Sequence, residues 1–108
     1  MSITTEMILK LQKQEITEYH IYQRIAELID DPENKDVMLQ MAMQEKHHYE
    51  AWKSISHEEV KPSQLRIRWY VLLARTLGYT FVLKKLEANE AHAQCNYQKI
   101  GEEYPVAL

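Results

Sequence analysis

Two glycines, three prolines and one cysteine in 108 residues leave few of the parts from which a turn-rich β protein or a disulfide scaffold is made. The single thiol, Cys95, cannot close an intramolecular disulfide and fits a reducing compartment. Long hydrophobic runs are missing as well. The longest, Trp69 to Leu83, is interrupted by Arg75, Thr76, Gly78 and Thr80. At about 15 residues it falls short of the ~20 that span a bilayer. There is no positive excess: the net charge of −3 gives no sign of a nucleic-acid-binding surface. The N-terminus, Met-Ser-Ile-Thr-Thr-Glu, has no basic stretch leading into an apolar core, so no signal peptide is read and a cytoplasmic location is expected. With 45% hydrophobic and 27% charged residues, the composition is that of one ordinary globular domain over residues 1–108.

What is present is helical periodicity. A first helix is predicted from about Thr5 to Ile29, with Ser2, Thr4 and Thr5 as candidate caps. Ile8, Leu11, Tyr19, Tyr22, Ala26 and Ile29 share one face of it, and Glu15 lies on that same face; Glu18 is placed at its edge. Asp30-Asp31-Pro32-Glu33-Asn34 breaks the pattern and can start the next helix, predicted from about Glu33 to Ile55. A short connection between two long helices implies an antiparallel hairpin. Ser56 to Ser63 is read as a connector, with Val60-Lys61-Pro62-Ser63 as a stop followed by a new cap. Helical character then runs from about Gln64 to Glu103, bent or broken near Gly78. Glu90 sits on the stripe of Leu83, Leu86, Ala93, Tyr97, Ile100 and Tyr104, and Glu87 lies one turn earlier at its edge.

The apolar stripe of the second helix, read through Met38, Met41, Trp52 and Ile55, carries Glu45 and His48 where two core residues are expected. Burying an uncompensated carboxylate costs several kcal/mol. A metal ion supplies the compensation, and Glu-x-x-His is the ligand unit of di-iron carboxylate bundles. Glu-x-x-His alone is weak evidence, since surface helices carry it by chance. Its position on the stripe, with Glu15 and Glu90 on the buried faces of other helices, makes it stronger. Carboxylate and imidazole without thiolate favour Fe, or Mn, over a structural zinc site. Met38, Met41 and Met43 are read as core filler, Tyr22 and Tyr97 as core residues that hydrogen-bond a carboxylate, and His47 and His92 as surface residues. A weak internal repeat, Glu15 to Tyr22 and Glu90 to Tyr97, suggests a duplicated hairpin whose fourth helix is not in the chain.

These residues resemble a family. Glu15 and Tyr22, followed by Glu45-Lys-His-His48, look like the first half of a rubrerythrin or ferritin-like di-iron domain. Val60-Lys-Pro-Ser-Gln-Leu through Trp69-Tyr-Val-Leu-Leu-Ala-Arg-Thr-Leu-Gly-Tyr-Thr-Phe-Val-Leu-Lys-Lys-Leu-Glu87 resembles the ferritin-like domains at the N-terminus of membrane iron transporters related to the vacuolar iron transporter. The resemblance implies Glu15 as the helix-one carboxylate, Glu45 as the bridging carboxylate and His48 as the imidazole ligand. Glu90 is then the helix-three carboxylate and Glu87 the additional glutamate of rubrerythrin-type sites. It also implies ferroxidase or peroxidase chemistry on Fe(II) with oxygen or peroxide, or iron capture beside a membrane iron-transport domain. No Cys-x-x-Cys pair is present to form a rubredoxin-like electron donor.

The expected architecture is an all-α, ferritin-like bundle of three long helices, completed by a second chain. Trp69, Leu72, Leu73, Leu77 and Phe81 exceed what three helices can cover, and a two-fold partner can bring another Glu45/His48 pair to the site. The competing reading is a metal-free helical dimerisation or interaction module in which Glu45 and His48 make buried hydrogen bonds.

Overall fold

Capping and packing divide the chain into helices close to the predicted ones. The computed structural model describes residues 4–86. It contains α1 (Thr5–Ala26), α2 (Pro32–Ser56), α3 (Gln64–Leu77) and a further helical stretch over 79–86, with no strand among the described residues. The architecture is the all-α, ferritin-like helical bundle expected. Each of the three helices begins at an oxygen-bearing side chain that accepts an otherwise unbonded backbone N–H. Thr4 takes the amide of Met7 at 3.2 Å, Asp31 that of Asn34 at 2.9 Å, and Ser63 that of Arg66 at 3.3 Å. Pro32 occupies the first turn of α2, where its missing N–H costs nothing.

α1 ends at Ala26 rather than Ile29. The Leu28 and Ile29 amides bond back to Ile25 and Ala26, tightening the last turn, and Pro32 holds Asp31 in the extended region. Ile29 is still buried, in the turn. α2 ends on His57 in the left-handed region, and α3 ends on Gly78 at φ +92 and ψ 154. The helical stretch expected to bend or break near Gly78 is broken there and resumes at residue 79.

α1 and α2 form the antiparallel hairpin. Gln12 of α1 meets Ser56 at the end of α2, while Glu15, one turn further along α1, meets His48. α3 packs on α1 through Ile67, Tyr70, Val71 and Ala74, and Val82 and Leu86 join the same core. That core also holds Ile21, Tyr22, Ile25, Ile29, Met38 and Ala42. A second buried group, Ile8, Leu11, Tyr49 and Trp52, lies at the other end of the hairpin. The acidic residues Glu15 and Glu45 lie between these two apolar zones.

The buried line of α2 is Met38, Ala42, Glu45, Tyr49 and Trp52. Its alternating steps of four and three are those of a helix packed along a neighbour at a shallow angle. Relative to the predicted stripe the helix is turned, so Met41, His48 and Ile55 are its half-buried flank and Tyr49 enters the core. Met43, read as core filler, is on the surface. Glu18, placed at the edge of α1, is buried, because α1 is covered by both α2 and α3. Tyr19 is half-buried against the core.

Candidate metal centre

The geometry brings together Glu15, Glu45 and His48. One ligand atom from each lies within 4.8 Å of the others. Glu15 and Glu45 are buried, and His48 Nδ1 is 3.4 Å from Glu15 Oε2 with the imidazole side chain 41% exposed. The cluster thus has a dry carboxylate floor and an imidazole at its open edge. Glu45 and His48 reach it together because residues three apart on a helix project to neighbouring positions. Glu15 reaches it because the hairpin register sets the middle of α1 against this part of α2. Glu87 and Glu90, with Tyr97, Cys95 and His92, lie outside the described residues.

The donor set fits an iron ion. Two carboxylates and one imidazole, without a thiolate, are the hard and borderline ligands that suit Fe(II) and Fe(III). Two buried carboxylates brought close repel one another, and a cation between them removes that repulsion as well as compensating their lost hydration.

Three polar side chains of α1 and α2 anchor the segment that follows α2. Gln12, fully buried one turn before Glu15, donates to the Glu58 carbonyl at 2.7 Å and accepts from the Ser56 hydroxyl. Tyr49, the neighbour of His48, accepts the Val60 N–H at 3.0 Å and donates to the Val60 carbonyl at 3.4 Å. Thr17 accepts the Ser63 N–H at 3.0 Å and donates to the Lys13 carbonyl at 2.6 Å. These three side chains tie residues 57–63 down onto α1 and α2. None stands out in the sequence. The available signal was a polar residue, Gln12, in step with Leu11 and Glu15 on a face that is otherwise buried. Tyr22 is buried within the apolar core, as expected, and His47 is exposed. His20 is half-buried, and burial, followed by the charges of Arg24 and Lys46, lowers its pKa from the ordinary value.

No curated protein and no solved structure matches this chain. The family model described as ubiquinone biosynthesis protein COQ7 matches residues 5–100. That span contains the whole Glu15, Glu45 and His48 cluster. The family is one of ferritin-like di-iron carboxylate proteins, the class to which the residues point; the narrower expectation of a rubrerythrin or iron-transporter relative is not supported. With nearly its full length matched and the carboxylate–imidazole cluster assembled in a helical bundle, the chain belongs to the COQ7 family.

Proposed function

We propose that this protein binds iron at Glu15, Glu45 and His48 and works as an iron-dependent oxidoreductase that uses oxygen or peroxide. The observation that carries the reading is the approach of these three ligand atoms to within 4.8 Å in the buried middle of a helical hairpin. Iron bound there supplies redox chemistry that no amino-acid side chain provides. Glu15 and Glu45 hold the cation from the dry side, and the two apolar zones around them limit water. His48 stands at the open edge, so a reactant approaches from that side. Glu87 and Glu90 complete the ligand set in this reading, and a homodimer brings a second Glu45/His48 pair toward the same centre. The family's description favours one substrate class over simple Fe(II) oxidation: a ring precursor of ubiquinone, as the acceptor of a hydroxyl group.

The test is metal per chain after anaerobic Fe(II) loading, beside the Glu45→Ala/His48→Ala variant. One or two irons per chain, lost in the variant, is the expected result, and the ratio tells whether two chains share a centre. Absence of iron from both proteins, with the helical content intact, removes the reading in favour of a metal-free helical interaction module.

A further inference from the structure

Lys10, Lys13, Gln14 and Thr17 lie at helical spacing along one strip of α1. Together with Ser63 and Arg66 at the start of α3 they line a cavity of about 310 Å³. That volume is at the lower end of small-molecule sites, which run from roughly 300 to 1,000 Å³. None of Glu15, Glu45 and His48 lines it. The two walls are tied together by Thr17, which is buried and whose hydroxyl accepts the Ser63 N–H at 3.0 Å and donates to the Lys13 carbonyl at 2.6 Å. Arg66 is placed by the buried Tyr70: its guanidinium carbon is 5.3 Å from the ring centre, and Nη2 donates to the phenol oxygen at 3.5 Å. One long bond to Tyr70 leaves the rest of the guanidinium fork to a ligand. The Ser63 hydroxyl accepts the Arg66 N–H at 3.3 Å and keeps its own hydrogen to donate.

The charge around this cavity has one sign, although the chain as a whole is net −3. Three cations line it and no Asp or Glu does. Among the described residues none of the three has a carboxylate within ion-pair distance. Glu6, Glu58 and Glu59 line an adjoining groove that shares Lys10 and Lys13, and none of them lines this cavity. The Glu18 carboxylate that takes the Gln14 amide at 3.5 Å is buried and does not line it either. Cations gathered without a counter-charge repel one another, and an anion between them removes that cost. A carboxylate brings one charge and two oxygens. A phosphoryl group brings nearly two charges and three strong acceptor oxygens at neutral pH, which match a guanidinium fork and two ammonium groups. Gln14 and Ser63 supply polar partners for a small body attached to the phosphate.

We propose that Lys10, Lys13, Ser63 and Arg66 form a binding site for the phosphoryl group of a small soluble phosphate compound, independent of the metal centre. The experiment is isothermal titration calorimetry of the full chain with inorganic phosphate and with ribose 5-phosphate, with ribose as the uncharged comparison and circular dichroism to verify folding. Saturable binding of both phosphates and none of ribose is expected, and saturation moves the backbone amide resonances of Ser63 and Arg66. Lys10→Gln/Lys13→Gln weakens binding at least about tenfold, because two charge-assisted contacts are lost. Arg66→Lys also weakens it, since the charge stays and the fork is lost. Lys84→Gln/Lys85→Gln removes the same charge outside the cavity and changes affinity by less than about twofold. Glu45→Ala leaves it unchanged. Failure of the folded wild-type chain to bind either phosphate overturns the proposal, as do equal losses in the two lysine pairs or loss of binding in Glu45→Ala. Capture by vesicles containing phosphatidic acid, without binding of either soluble phosphate, assigns the cavity to a lipid headgroup and overturns it equally.

Discussion

His48 Nδ1 on α2 lies 3.4 Å from Glu15 Oε2 on α1, joining a part-exposed imidazole to a carboxylate with no solvent exposure. With Glu45 beside them, two carboxylates are kept in the core by the α1–α2 packing rather than by hydration. Such an arrangement sacrifices stability in the metal-free protein for function.

Metal and mutation therefore act with opposite signs. A ligand that binds only the folded state stabilises it by about 2.7 kcal/mol at a hundredfold excess over its Kd. Anaerobic Fe(II) is expected to raise the melting temperature of the wild-type protein by several degrees. Apo Glu45→Gln, with one of the two close buried carboxyl groups replaced at similar volume, is expected to melt no lower than the apo wild type and to show no rise with Fe(II). Differential scanning calorimetry reads both. A Glu45→Gln variant that loses several degrees without metal identifies Glu45 as part of a structural hydrogen-bond network instead.

The helices and the cluster were largely legible in the sequence, because capping and periodicity are local. Thr4, Asp31 and Ser63 each stand directly before a periodic segment, and Glu45 and His48 are linked by helix geometry alone. What was not legible depends on helix rotation and on how many neighbours a helix has. Glu18 is at the edge of α1 if one helix packs on it and inside if two do. Tyr49 and Met41 exchange places when α2 turns by a fraction of a residue step. Gln12 and Thr17 are buried because the backbone of residues 57–63 folds over them, and nothing local to either residue signals that.

The Gln12 bonds give a prediction about those residues. Gln12 joins the Glu58 carbonyl to the Ser56 hydroxyl while itself fully buried. Leaving buried polar groups unmatched costs about 1–3 kcal/mol. Gln12→Leu is expected to lower stability to urea by an amount in this range. Amide hydrogen exchange is expected to quicken over 57–63 before it quickens in α1. A variant with the wild-type urea midpoint contradicts the role.

Gly78 is held by backbone conformation rather than by space. A Cβ placed there meets nothing within 4 Å, yet φ +92 with ψ 154 is a region that side-chain-bearing residues rarely enter. Gly78→Ala is expected to cost about 1–3 kcal/mol in urea unfolding, the usual strain for such a position. His57, at φ 59, is in the milder left-handed helical region. His57→Asn is accordingly expected to be near neutral, while the β-branched His57→Ile is expected to lose about 1 kcal/mol. Equal costs for Gly78→Ala and an alanine change at an exposed position with ordinary φ remove the conformational explanation.

His20 supplies a pH signature separate from the metal ligands. Burial first, then the Arg24 and Lys46 charges, holds its pKa below the ordinary 6.5. As pH falls, the unfolded chain therefore takes up this proton before the folded chain does. The contribution of His20 to stability is fully present above 6.5 and is lost as the pH falls through the lower, folded-state value. In NMR titration of the metal-free protein, the imidazole resonance that disappears in His20→Gln is expected to titrate with a midpoint under 6.5. The same substitution is expected to flatten the decline in urea stability on acidification below that pH. A midpoint at or above 6.5 means that the imidazole is solvated and remote from both cations, contrary to its place beside Arg24 and Lys46.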